Sequence, residues 1–210
     1  MKKSFLYLLT FFILISCSST HVFNQKWLKI EAPEVFKARF ETTQGNFDIE
    51  AHREWSPLAV DRLYQLITTN YYTDIAIFRV VPGFVAQFGI HDNPILSKTW
   101  EKYPVKDEPV LAKNNFMTVA YARDGKDTRA IQLFINLADN NKLDTVNFND
   151  VKGFPVIAKV ISGSDIILNF YDGYGNEPAM LQDSMYARGN AFIEENYPRV
   201  DYIKRAYIIP

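Results

Sequence analysis

The chain has 210 residues, which suits one globular domain with short appendages. Hydrophobic residues make up 48% and aromatics 15%, so a sizeable core can be buried without disulfides. The 23 basic and 24 acidic residues leave a net charge of −1, which excludes the broad positive field that nucleic acid or an anionic membrane surface would select.

Lys2 and Lys3 precede an apolar run from Phe5 to Ile15, too short to span a bilayer as a mature helix. The run ends in Leu14-Ile15-Ser16-Cys17, which is similar to the lipobox of bacterial lipoproteins. That resemblance implies a lipoprotein signal peptide over residues 1–16, cleavage before Cys17 and acylation at Cys17, with several acyl chains as a durable anchor. The other reading is an ordinary signal peptide that leaves a free thiol. Cys17 is the one cysteine of the chain and stands where the lipobox needs it. One cysteine also excludes an internal disulfide and a cysteine-based metal cluster. Ser18, by the enterobacterial sorting rule, favours the outer membrane. Residues 17–35 are expected to be the lipidated N-terminus and a tether, and residues 36–210 the folded domain.

From Lys37 the pattern turns strand-like. Ala38, Phe40 and Thr42 alternate with polar residues, Thr43-Gln44-Gly45-Asn46 marks a turn, and Phe47, Ile49 and Ala51 resume the alternation. Ser56-Pro57 predicts a helix start, with Ser56 as N-cap and Leu58, Ala59, Leu63, Leu66 and Ile67 at helical spacing. Strands are expected over 75–81 and 84–90, broken by Pro82-Gly83, then a turn-rich loop over 91–115. Further strands are expected over 116–122, 132–137 and 154–161. Gly163-Ser164-Asp165 leads into a second helix through Tyr171. A helical stretch near 191–196 and a strand near 202–209 close the chain. Many short strands with two well-separated helices suggest a mainly β fold, with barrel and sandwich undecided by pattern alone.

The segment Phe78-Arg79-Val80-Val81-Pro82-Gly83-Phe84-Val85-Ala86-Gln87-Phe88-Gly89 resembles the central signature of the cyclophilin-type prolyl isomerases. Thr128-Arg129-Ala130-Ile131-Gln132-Leu133-Phe134-Ile135-Asn136, then Leu143-Asp144, then Ile157-Ala158-Lys159-Val160-Ile161-Ser162-Gly163 resemble further motifs of that family, in the family's order. The resemblance runs from about Lys37 to Tyr171. It implies a closed eight-stranded antiparallel β-barrel capped by two helices, with an outer groove that binds a proline-containing peptide. It also implies that Arg79 and Gln87 are catalytic. Phe84, Val85, Phe134 and Leu143 would form the proline hollow, the backbone of Tyr121 beside Ala120 would pair with the substrate, and Gln132 would line the groove. Phe154 falls about where eukaryotic members place a pocket histidine.

Read without that resemblance, Arg79 is a rim or partner-paired residue, Phe84, Phe134 and Leu143 are core, and Gln87 and Gln132 could face solvent. His21, His52 and His91 lack metal-ligand spacing and are expected at the surface. Asp107-Glu108 is expected to be a solvated loop. No metal and no cofactor is expected, because rotation about an amide needs neither. The expected function is isomerisation of X–Pro bonds in extracytoplasmic proteins, assisting their folding, by a monomer held at the cell envelope. The alternative is a proline-peptide binding module or chaperone of the same fold with little turnover. Lys142 stands where many members carry a tryptophan that contacts cyclosporin, so weak cyclosporin binding at most is expected. Ile131, Leu133 and Tyr121 also depart from the family's usual residues.

Overall fold

The computed structural model describes residues 23–210; the expected signal peptide, Cys17 and His21 lie outside the described residues. Strands β1 (Val35–Thr42) and β2 (Asn46–His52) form the expected hairpin. Phe36, Ala38, Phe40 and Thr42 on β1, and Phe47, Ile49 and Ala51 on β2, turn one face to the core, as the period of two requires. Asp48 is also buried, and the Arg39 guanidinium grips it with two bonds of 2.8 and 2.9 Å.

Helix α1 (Pro57–Thr68) follows, but Ser56 does not cap it with its own side chain. The Ser56 hydroxyl donates to Glu108, and the Glu108 carboxylate accepts the N–H groups of Leu58 at 2.8 Å and Ala59 at 3.2 Å. A carboxylate from a distant loop thus satisfies the helix's free donors and its positive end. The fully buried Arg129 holds that carboxylate at 3.2 Å and lies 3.7 Å from Asp107. Asp107-Glu108 is therefore a structural ion cluster and not a solvated loop.

The chain continues through β3 (Thr73–Ala76), β4 (Arg79–Val81), β5 (Val85–Phe88) and α2 (Pro94–Glu101). Helix α2 lies inside the stretch expected to be a loop. Asn93 caps it by accepting from Ile95 and Leu96, and Pro94 opens it. After it come β6 (Thr118–Tyr121), β7 (Leu133–Asn136), β8 (Asn147–Phe148), β9 (Val151–Lys152) and β10 (Val156–Ser162). The chain ends with α3 (Ser164–Leu168), α4 (Gln182–Arg188), α5 (Asn190–Asn196) and β11 (Tyr202–Ile209).

Nine strands form one antiparallel sheet in the order β3-β11-β1-β2-β10-β6-β7-β5-β4, while β8 and β9 make a separate small hairpin. The sheet curls around a single large core but does not close, because β3 and β4 are its two edges. This corrects the closed eight-stranded barrel. The run 75–81, expected to be one strand, bends at Ile77-Phe78: its first half pairs with β11 and its second with β5. One strand becomes two, and they occupy opposite edges. Five α-helices are present among the described residues, not two.

Residues 23–34 lie on the domain. Gln25–Lys29 form a short 3-10 helix. Phe23 stacks on Tyr103 at 5.4 Å, Trp27 stacks on the buried Trp100 at 6.2 Å, and the Ala32 N–H donates to Asp61 at 2.8 Å. The part of the expected tether within the described residues is therefore packed against the fold.

Candidate active site

The site arises from the alternation of three adjacent strands. Ala86 and Phe88 of β5, Val119 and Tyr121 of β6, and Leu133 and Ile135 of β7 point into the main core. Their neighbours Val85, Ala120 and Phe134 point to the other face and form a small second cluster, joined by Phe84, Ala122, Leu143 and Phe154. A one-residue register slip would exchange the two sets. The register is explicit: Arg79 faces Gln87, Gln87 faces Phe134, and Phe134 faces Ala120. A cation, an amide, a ring and a methyl thus stand in one row across four strands.

The turn 82–83 brings Phe84 back over Arg79, whose guanidinium carbon lies 5.4 Å from the Phe84 ring centroid, within cation–π range. The Phe84 carbonyl accepts from the Leu137 N–H and the Asn140 side chain, both at 2.8 Å. Leu143 sits on a 3-10 turn, Asn141–Asp144, and the Phe154 N–H donates to its carbonyl at 2.8 Å. Phe154 meets Phe134 edge-on at 5.8 Å. The fully buried Asn114 donates to Asp144 at 2.9 Å and to the Phe154 carbonyl at 2.8 Å, tying both walls together. The result is a half-open apolar hollow: Val85, Ala120 and Phe134 are buried, whereas Phe84, Leu143 and Phe154 are partly exposed.

At its rim, Arg79 Nη1 donates to Gln87 Oε1 at 2.9 Å. Arg79 Nε is buried and finds no hydrogen-bond partner among the described residues. Burial lowers the Arg79 pKa from its ordinary value, yet a guanidinium so placed keeps its proton at neutral pH. Gln87 Nε2 donates to Gln132 Oε1 at 2.8 Å. Gly89 permits this approach: its φ is +128°, and a Cβ there would come within 2.5 Å of the Ile131 carbonyl oxygen. Gln87 and Gln132 also border a cavity of about 510 Å³, lined further by Glu101, Arg123, Asp124 and Asp183.

Arg79, Phe84, Val85, Gln87, Ala120, Gln132, Phe134, Leu143 and Phe154 are thus brought together. The Tyr121 ring is directed into the core, so at that position the backbone alone could face the groove. Lys142 is exposed beside Leu143. His52 and His91 are half-buried, not surface residues: His52 stacks on Trp55 at 4.1 Å, and His91 Nδ1 accepts the Asn93 N–H. Arg123, unremarked in sequence, donates to the carbonyls of Phe148, Val151 and Gly153 and lies over the Phe154 ring at 4.3 Å. It fixes the β8–β9 hairpin beside the hollow. Among the described residues, no group of three or more His, Cys, Asp or Glu could hold a metal ion.

An outer hollow with an arginine and a glutamine at its rim, built on a curled antiparallel sheet, defines a cyclophilin-like site. Residues 37–185 match the family described as cyclophilin type peptidyl-prolyl cis-trans isomerase/CLD, and the chain belongs to that family. It is 31% identical over 129 residues to a peptidyl-prolyl cis-trans isomerase of Acinetobacter baylyi, covering 60% of this chain and 67% of that protein. It is 30% identical over 127 residues to peptidyl-prolyl cis-trans isomerase A of Dickeya dadantii, covering 60% and 65%. A cyclophilin-type isomerase of Cryptosporidium parvum shares the fold, with a TM-score of 0.60 over 84% of this chain and 98% of that one at 17% identity.

Proposed function

We propose that the chain isomerises X–Pro bonds of polypeptides, with Arg79 as the catalytic cation. A planar amide resists rotation with a barrier of ~18–20 kcal/mol. Halfway round, the proline nitrogen loses conjugation and becomes a lone-pair acceptor. A donor that meets it only then lowers the barrier without tightening the ground state. The observation that carries this reading is the placement of Arg79: its guanidinium carbon lies 5.4 Å from the Phe84 ring centroid, one nitrogen is held by Gln87, and Nε is uncommitted beside an apolar hollow. One charge-assisted bond contributes ~1.5–3 kcal/mol. Preorganisation by the Gln87–Gln132 pair would supply more. The Cryptosporidium parvum relative, also solved in the presence of the dipeptide Ala-Pro, supports a proline-containing ligand.

Arg79→Ala should lower kcat/KM for an X–Pro peptide about 10- to 100-fold, the worth of that single bond. NMR exchange spectroscopy would read the rate and circular dichroism the fold. A folded Arg79→Ala protein of undiminished activity would remove Arg79 from the mechanism. A parent that binds the peptide without turning it over would instead make the chain a binding module.

We further propose an extracytoplasmic folding role for a monomer anchored through Cys17, without strong cyclosporin binding because exposed Lys142 offers it no ring. The sequence over 1–17 supports the anchor. Mass spectrometry of detergent-extracted protein should find acylation that Cys17→Ala abolishes; an unmodified Cys17 refutes it.

A further inference from the structure

Gln132 is the branch point of a hydrogen-bond chain that leaves the hollow. Its Nε2 donates to Gln182 Oε1 at 2.7 Å and to Tyr186 Oη at 2.9 Å. Tyr186 in turn donates its hydroxyl to Glu101 at the end of α2. In the other direction, Gln132 Oε1 accepts from Gln87 Nε2 at 2.8 Å, and Gln87 Oε1 accepts from Arg79 Nη1 at 2.9 Å. Six side chains, from β4, β5, the residue before β7, α4 and α2, thus form one relay with a single polarity.

The polarity follows from chemistry. An amide nitrogen only donates and its oxygen only accepts, so each glutamine has one orientation in which all these bonds form. If Gln132 turned over, its nitrogen would meet the nitrogen of Gln87. If Gln87 turned to accommodate it, its NH₂ would face the guanidinium, donor against donor. The far end sets the direction: an ionised Glu101 can only accept, which draws the Tyr186 proton toward it and leaves the hydroxyl's lone pairs for Gln132. Glu101, Gln182 and Tyr186 lie on helices outside the sheet that carries the hollow. Tyr186 is the first residue beyond the stretch 37–185 that matches the family.

We propose that Gln182 and Tyr186 of α4 are positioning residues for Arg79, acting through Gln132 and Gln87. The rate consequence rests on the isomerase reading; the geometric consequence does not. The hollow's rings do not depend on this relay, so its loss would leave proline binding largely intact. It would slow the step in which the guanidinium must meet the twisted amide.

The test uses Tyr186→Phe and Gln182→Ala, each alone and each combined with Arg79→Ala. Tyr186→Phe should lower kcat about fivefold, equivalent to ~1 kcal/mol, with KM changed less than about twofold. Combined with Arg79→Ala it should add no further loss, because two changes acting through one group are not additive. The Arg79 Nε–H resonance should move in both single variants. An additive double variant, or an Arg79 resonance unmoved in both single variants, overturns the proposal. If Tyr186→Phe does not fold, Gln182→Ala decides alone, since it removes one of the two acceptors of Gln132 and leaves the tyrosine. An inactive parent would overturn the isomerase reading by itself, and the Arg79 resonance would still decide the positioning.

Discussion

At the scale of single residues, the site joins side chains that are near neighbours in the chain to others held from a distance. Arg79, Phe84 and Gln87 share one short segment whose strand–turn–strand geometry brings them together. Gln182 and Tyr186 meet Gln132 across 50 and 54 residues of chain, and a polar residue on a short helix carries no mark of its partner. Asp107 and Glu108 differ from the expected solvated loop for the same reason, since nothing local shows that their partner Arg129 is buried. Glu101 gives a residue-scale test. Burial raises its carboxyl pKa above the ordinary 4.5, opposed by the Tyr186 bond and by Lys98. The folded chain then holds that proton to a higher pH than the unfolded chain does. The associated stability is full below the unfolded value and is lost as pH rises through the folded one. Glu101→Gln removes this titration, so the variant should gain stability relative to the parent between pH 4.5 and neutrality. Urea unfolding at both ends of that window checks it; a pH-independent difference would contradict it.

At the scale of elements, alternation locates β1 and β2 and helical spacing locates α1, because each turns one face to a core and the other to solvent. It failed where both faces are covered. β5 and β7 are buried throughout, so period two cannot tell core from hollow, and the family motif had to supply that distinction. It failed again at 75–81, where an unbroken apolar run conceals a bend between two sheet edges. The elements around the cavity carry their own consequence. Glu101 of α2, Asp124 and Asp127 of the 122–132 connection, and Asp183 of α4 line it, while the Arg123 guanidinium, the one cation lining it among the described residues, is spent on three backbone carbonyls. A peptide running from the hollow past Gln87 and Gln132 places its next side chains before those carboxylates. Peptides with Lys on that side of the X–Pro bond should show a KM about two- to fivefold below their Glu counterparts, as exposed charge pairs allow. Raising the salt should erase the difference. Equal KM values at low salt would mean that the chain leaves the hollow by another route.

At the scale of the whole molecule, the docked N-terminal segment changes the relation between domain and anchor. A tether running to residue 35 would let the domain range widely, but the aromatic contacts of Phe23 and Trp27 fix the chain much earlier. If Cys17 is acylated as proposed, five residues, 18–22, separate it from Phe23, a span of six residue-to-residue steps. At ~3.3–3.6 Å per extended step they reach about 20 Å. The site would then work close to the membrane surface, and the docking contacts would bear on both stability and position. Trp27 is half-buried against the fully buried Trp100, with Phe23 edge-on to both. Removing a fully buried tryptophan side chain costs ~3–5 kcal/mol, so Trp27→Ala should cost about 2 kcal/mol and roughly 5 °C in Tm. The isomerase rate of the folded variant should not change, because Trp27 shares no bond with the Arg79 relay. Calorimetry of the mature chain beside the variant measures the first effect and NMR exchange the second. An unchanged Tm would return residues 23–34 to the role of a free tether, and with it the longer reach of the domain from its anchor.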